Sequence, residues 1–365
     1  MERITLEQFV PERLPLQQKG WKQLLLWEDE TGTLAVPGYY VKGREPGPIV
    51  IAVAGVHGDE FEGMAALRQL AAELEPEMIN GTFIGIPVIN PLAYEGQTRE
   101  TPASWDGLNL ARQFPGRADG SVTERMAFTW SNWVSRILGR EDVFIDFHSA
   151  GTRYEYRSIV AFHETHDQIE QDSQFLAQAF GWERVWRIPD RPDTRITFNG
   201  YIARCGIPTI ATEVRGRGGC LPEDVVHLKS GLRQVLLSKK MFTLMHPFQE
   251  CTVASPPAMD DALSARQSSP LTIQEEPAHT LQEADDSSQA IWSTEWLLIE
   301  TMGFFQPYVE LGENVEVGQK MGEICSLTGV VLEEVYAPRS GNIWGIRRFS
   351  TVWPGDYLFL FAFQL

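Results

Sequence analysis

Basic residues are in short supply: 31 Lys and Arg stand against 49 Asp and Glu, a formal charge of −18 over 365 residues. A chain this acidic repels phosphates, and no basic run interleaved with aromatics offsets the repulsion, so nucleic acids and anionic membranes are not expected as partners. Long apolar runs are missing too. Nowhere do 18 uncharged apolar residues follow one another, which leaves no segment suited to a membrane helix. Met1 to Pro15 mixes Glu2, Arg3, Glu7, Glu12 and Arg13 with apolar residues, and so offers neither the apolar core nor the cleavage site of a secretion signal. A cytoplasmic protein is expected. Cysteine is sparse: Cys205, Cys220, Cys251 and Cys325 are scattered with no Cys-x-x-Cys pair, which fits reduced thiols better than a disulfide frame or a thiolate metal site.

What the chain does have is apolar bulk. Its hydrophobic fraction of 43% over this length can fill more than one core, so two folded units are expected. From Pro48 to Val56 an apolar run leads into His57, and from Glu60 to Leu74 the residues Met64, Leu67, Leu70 and Leu74 recur with helical spacing. That is a strand feeding a helix. Further buried strands are predicted at 82–89, 143–148, 158–162 and 207–214. Between them, Ser121 and Glu124 form a capping box for a helix that closes before Gly139, Gly181 ends a second helix, and a third starts near Pro222. Strands alternating with helices from about residue 35 to 245 indicate a mixed or mainly parallel sheet covered on both faces, an α/β fold. Residues 248–290 are dominated by Ser, Pro, Asp and Glu and read as a polar linker or excursion; from 291 to 365, short strands and glycine turns predict a small all-β unit. The catalytic unit is thus expected within 1–247.

The chemistry concentrates at strand ends. His57-Gly58-Asp59-Glu60 places an imidazole and a carboxylate three residues apart where the first strand gives way to a helix. Two His and one Glu with an open fourth position make one known catalytic zinc set, and His148 ends a second apolar strand to complete it. Asp146 shares a face with His148 and either orients a ligand imidazole or serves a solvent or structural role. His163-Glu164-Thr165-His166 has a two-His spacing as well, but no third ligand lies nearby. A hydrolytic site also needs a base for water and a cation for the developing oxyanion. Glu213, at the end of an apolar strand where an idle carboxylate would be costly, is the leading base. The loop after Asn90-Pro91 supplies Arg99 for the oxyanion and Arg112 for a substrate carboxylate.

Gly55-x-His57-Gly58-Asp59-Glu60-x-Glu62-Gly63, Asn90-Pro91, Arg112-x-Phe114-Pro115-Gly116, Asp146-Phe147-His148 and Thr212-Glu213 follow the order seen in one family. The chain resembles the succinylglutamate desuccinylase/aspartoacylase family, a branch of the zinc carboxypeptidase fold, over most of residues 48–216. The resemblance implies a three-layer sandwich with a mixed sheet and a C-terminal domain similar to biotinyl/lipoyl barrels, here without a lysine at a modifiable hairpin tip. It also implies one zinc per chain at His57, Glu60 and His148, general acid/base work by Glu213, and anion contacts by Arg99 and Arg112. The run from Asn109 to Glu124 looks closest to the subgroup acting on N-acetylated diaminobutyrate. One departure stands out: relatives read Asn-Arg where this chain has Ala111-Arg112, so a substrate-gripping amide is missing unless Asn109 supplies it.

The expected activity is hydrolysis of the amide bond of a small N-acylated amino acid. Two alternatives stay open: a metallocarboxypeptidase acting on short peptides through an open groove, and a non-catalytic zinc-binding homologue, which Ala111 keeps in view. A homo-oligomer is neither required nor excluded by the sequence.

Overall fold

The strand of residues 49–54, Ile-Val-Ile-Ala-Val-Ala, is buried on both its faces, a pattern that survives only where a sheet is covered above and below. The computed structural model describes residues 1–30, 32–242 and 290–364 and builds outward from this strand. The chain opens with β1 (Glu2–Thr5), β2 (Gln18–Asp29) and β3 (Gly32–Lys42). Alternation follows: β4 (Ile49–Ala54), α1 (Phe61–Glu73), β5 (Thr82–Ile86), α2 (Pro91–Gly96), α3 (Val122–Ile137), β6 (Val143–Phe147), β7 (Tyr154–Tyr156), β8 (Ile159–His163) and α4 (Gln168–Ala179). Then come β9 (Val185–Ile188), α5 (Pro192–Arg195), α6 (Phe198–Arg204), β10 (Thr209–Glu213) and α7 (Pro222–Ser238). The C-terminal strands are β11 (Ile291–Leu298), β12 (Gly303–Pro307), β13 (Asn314–Val315), β14 (Lys320–Cys325), β15 (Val331–Tyr336), β16 (Gly341–Arg347), β17 (Thr351–Val352) and β18 (Tyr357–Gln364).

The fold is mixed α/β. Its large sheet runs β1-β2-β3-β5-β4-β6-β10-β8-β9-β11-β18-β16-β13, with β7 on β16. The central β5-β4-β6-β10 stretch is parallel, whereas β3 on one side and β8 on the other run antiparallel to it. Strand alternation in β4 sends Val50, Ala52 and Ala54 to one face, against Leu67 and Leu70 of α1, Leu176 of α4 and Leu232 of α7. Ile51 and Val53 go to the other, against Trp130 and Val134 of α3 and Ile202 of α6. Of the expected capping box at α3 the carboxylate half is formed, Glu124 accepting from Ser121 N at 2.8 Å.

Two features were not anticipated. The β2–β3 hairpin extends the sheet by long strands whose apolar residues are interspersed with Lys19, Lys22, Gln23 and Glu28; their partial exposure blurs the periodicity. The C-terminal strands also divide their allegiance. β11 pairs with β9 in parallel and carries β18, β16 and β13 into the large sheet, while β15-β14-β12-β17 form a separate four-stranded sheet. Phe305, Met321, Ile324, Phe359 and Phe361 fill the core shared by the two. The polar stretch 248–290 lies, apart from Ala290, outside the described residues. Cys205, Cys220 and Cys325 are free thiols. No helix among the described residues is long and apolar enough to cross a membrane.

Candidate metal centre and catalytic site

Where β4 ends, Gly55 turns the chain at φ +66° and Gly58 brings it against α2, its N–H donating to Thr98 O at 2.9 Å. A Cβ on Gly58 would lie 1.9 Å from the Ala93 carbonyl carbon, so this approach requires glycine. Asp59 points away from the cluster that follows and ties the loop after β6 in place, accepting from Thr152 N and Oγ1 at 2.9 Å each. Glu60 stands at the N-cap of α1, where the helix dipole favours an anion, yet its side chain makes no cap bond. It turns to the histidines instead.

Glu60 Oε1 lies 2.7 Å from His57 Nδ1, and Glu60 Oε2 lies 3.0 Å from His148 Nδ1 and accepts from Ser149 N at 3.1 Å. All three residues are buried, and one donor atom from each falls within 4.8 Å of the others. The outer ring nitrogens decide the tautomers. Asn109 Oδ1 already accepts from Ala111 N at 2.9 Å, so the amide oxygen, at 3.2 Å, must be what faces His57 Nε2, and that nitrogen carries the proton. Likewise His148 Nε2 lies 3.1 Å from Asp146 Oδ2, a carboxylate beside which the ring proton is favoured on Nε2. Both neutral rings then aim Nδ1 lone pairs at the Glu60 carboxylate, a contact that is repulsive unless a cation, either a proton or a metal, is shared there. Two imidazole nitrogens and a carboxylate, with outer partners fixing each ring, fit a zinc ion.

The electrostatics agree with this demand for positive charge. Burial works against ionised Glu60, but the two histidines hold its pKa well below the ordinary value. Burial also disfavours a charged His148, yet Asp146 and Glu60 together raise its pKa well above normal. His57 goes the other way, lowered by burial and by the Arg99 charge.

Glu213 ends β10, whose register against β6 pairs Thr212 with Phe147, and His148 N donates to Thr212 O at 3.1 Å. This sets Glu213 beside His148 at the strand ends. Its Oε2 is buried with no hydrogen-bond partner among the described residues, and burial, opposed by His148 and Arg99 and assisted by Glu60 and Asp146, pushes its pKa up to about 8. Arg99 Nη1 donates to Glu60 Oε1 at 2.8 Å; burial works against its charge, but Glu60 raises its pKa overall. The loop carrying Arg99 and Asn109 is pinned to α3 through Asp106, which accepts from Thr123 N at 2.8 Å and Oγ1 at 2.7 Å. Arg112 lines the open side of the same region. It is exposed to water, donates to Ala111 O at 3.1 Å, and among the described residues pairs with no carboxylate. Its pKa is lowered by surrounding protein and then by the like charge of Arg99.

Sequence reasoning missed the aromatic wall and the outer support. Tyr156 is buried close enough to Glu213 and Arg99 for their charges to influence it, and its ring centroid lies 5.7 Å from that of Trp296, itself 4.9 Å from Tyr357. Tyr357 in turn influences Arg112. These groups come from β7, β11 and β18, far apart in sequence, so no local pattern announces them. His163 and His166 separate: His166 is exposed, while His163 is buried and bonded to Asn199 of α6. Among the described residues, His57, Glu60 and His148 form the one cluster suited to a metal.

The succinylglutamate desuccinylase/aspartoacylase catalytic domain model matches residues 46–238. The N-alpha-acetyl-L-2,4-diaminobutyric acid deacetylase of Halomonas elongata is 30% identical over 353 residues, spanning 94% of this chain and 91% of its own. A solved succinylglutamate desuccinylase from a Silicibacter species matches with a TM-score of 0.74 at 23% identity, covering 96% of this chain and 97% of that one. The product-bound ectoine utilization protein of Ruegeria pomeroyi also gives 0.74, at 22% identity and the same coverage. At these identities the structural likeness speaks for the fold.

Proposed function

Because the chain belongs to the succinylglutamate desuccinylase/aspartoacylase family, we propose that it is a zinc-dependent hydrolase that cleaves the amide bond of a small N-acylated amino acid. The products are a small carboxylic acid and an amino acid with a free amine. The observation that carries this reading is the convergence of His57 Nδ1, Glu60 and His148 Nδ1 beside a carboxylate, Glu213, whose buried Oε2 has no partner among the described residues. Residues 1–247 then form a catalytic unit of the carboxypeptidase-like three-layer kind, completed by a barrel-like β unit at 291–365.

His57, Glu60 and His148 would hold one zinc ion, whose Lewis acidity, when bound, polarises the acyl carbonyl and acidifies water. Glu213 is the base: Oε2 takes a proton from the attacking water and the same carboxyl returns it to the leaving amine nitrogen. The task asks for a group that releases the proton as readily as it accepts it, and a buried carboxyl beside the site offers one. Arg99 places a positive charge next to Glu60 and stabilises the oxyanion that forms on the acyl oxygen. Arg112, with no carboxylate partner among the described residues, receives the substrate carboxylate. Asn109 spends its amide oxygen on His57 and Ala111, which leaves its amide nitrogen to serve substrate in place of the asparagine that relatives have at 111. Tyr156, buried near Glu213 and Arg99 with its ring against Trp296, suits a short substrate better than a peptide.

The Halomonas relative makes N-acetylated diaminobutyrate the first compound to try. The test is a screen of N-acetyl, N-succinyl and N-formyl amino acids against zinc-loaded protein, read as amine release. Turnover of one acyl class supports the reading. Hydrolysis of peptides alone, or of nothing in the set, contradicts it.

A further inference from the structure

Behind His148, on the side away from Glu60, runs a buried polar chain that reaches two elements with no residue in the site. Asp146 Oδ2 lies 3.1 Å from His148 Nε2 and accepts from Asn199 Nδ2 at 2.9 Å. Asn199 Oδ1 lies 2.5 Å from His163 Nε2 and accepts from Thr197 Oγ1 at 2.9 Å. Asp146, His148, His163 and Asn199 are all more than nine-tenths buried.

The orientation of each group in the chain is forced. Turning the Asn199 amide round would set its oxygen against the Asp146 carboxylate, so Nδ2 must face Asp146 and Oδ1 must face His163. His163 therefore donates through Nε2. Asp146, held by the Asn199 donor, presents the same oxygen to His148 Nε2, which favours the His148 proton on Nε2 and the Nδ1 lone pair toward Glu60. Position follows as well as protonation. Asn199 sits on α6, whose first turn is capped by Thr197 Oγ1 accepting from Gly200 N at 3.1 Å, and α6 packs across β6, β10 and β8. In that stretch of sheet Asp146 pairs with Ala211, and Ala211 with Ala161 two residues before His163. Small side chains there leave room for the link to cross β10.

We propose that Asn199 and His163 are positioning residues for the metal centre: through Asp146 they fix the tautomer and ring angle of His148. This rests on the zinc reading above, extends it to two residues that touch neither metal nor substrate, and gives the buried His163 a purpose. Outer partners of a metal-bound histidine are worth roughly 10–100-fold in metal affinity.

The test uses the full-length protein and reads zinc affinity by chelator competition and the visible spectrum of the cobalt(II)-substituted form, with thermal unfolding as a check on folding. Asn199→Leu should weaken zinc binding by roughly 10–100-fold and shift the cobalt bands, while the KM of the best substrate moves by less than about twofold. His163 supplies an independent pair. His163→Gln keeps an N–H donor near the Asn199 oxygen and should retain affinity and spectrum, whereas His163→Leu should lose both, so the pair decides even if Asn199→Leu does not fold. Unchanged zinc affinity and cobalt spectrum in a folded Asn199→Leu or His163→Leu protein would overturn the proposal, as would equal losses in His163→Gln and His163→Leu. Wild-type protein that binds no zinc would instead refute the metal reading itself.

Discussion

Arg99 Nη1 donates to Glu60 Oε1 at 2.8 Å, so the guanidinium assigned to the oxyanion also reaches the carboxylate assigned to the metal. Arg99 and a metal cation compete for the same negative charge. Arg99→Ala should therefore bind zinc at least as tightly as wild type while kcat falls by roughly 10²–10³-fold, the range for losing one oxyanion donor. Chelator competition and steady-state rates on one preparation check this. Weaker zinc binding would mean that Arg99 serves to hold Glu60.

The metal assignment predicts about one zinc per chain in purified protein, lost in His57→Ala or His148→Ala because three protein ligands are the smallest catalytic set. Elemental analysis reads the result. Full occupancy in His148→Ala would place the ion elsewhere.

Arg112 is exposed to water and has no carboxylate partner among the described residues, so its contact with substrate is screened as well as charge-assisted. Arg112→Ala should raise the KM of carboxylate-bearing substrates by about tenfold, a cost of about 1.4 kcal/mol. The corresponding substrate amides should be affected much less. Equal effects on acids and amides would remove Arg112 from carboxylate recognition.

Much of this site could be read from the chain because each ligand closes a short local pattern. His57 and Glu60 flank one strand-to-helix turn, and Asp146 and His148 share a face by alternation within one strand. The buried strands 49–54, 82–86, 143–147 and 209–213 stood out for the same reason, being continuous and apolar. What escaped was non-local. The pairing of β9 with β11 joins residues more than a hundred positions apart, the aromatic wall draws on β7, β11 and β18, and His163 meets Asn199 only because α6 folds back over the sheet. Asn109 was read as a substrate contact, and nothing in its sequence neighbourhood disclosed that its oxygen would fix the tautomer of His57.

Glu213 should leave a mark on stability in metal-free protein. Burial raises its pKa from the ordinary 4.5 to about 8, so between those values the folded form holds a proton that the unfolded chain has released. The stabilisation is complete below pH 4.5 and is lost as pH rises through 8. Metal-free Glu213→Gln, which has no such proton, should lose less stability than metal-free wild type between pH 5 and 8.5. Urea midpoints at the two pH values measure the difference; parallel losses would show that Glu213 ionises in the fold as freely as in water.

The central claim is that Glu213 moves the proton while other residues hold the metal. Glu213→Gln keeps size and hydrogen bonding but cannot accept a proton from water, so zinc content and amide hydrolysis measured together on that one variant bear on the claim most directly. Zinc should remain at about one per chain, and kcat should fall by roughly 10²–10⁴-fold, the range that general acid–base catalysis supplies. Near-normal turnover with zinc in place, or loss of the zinc itself, would contradict it.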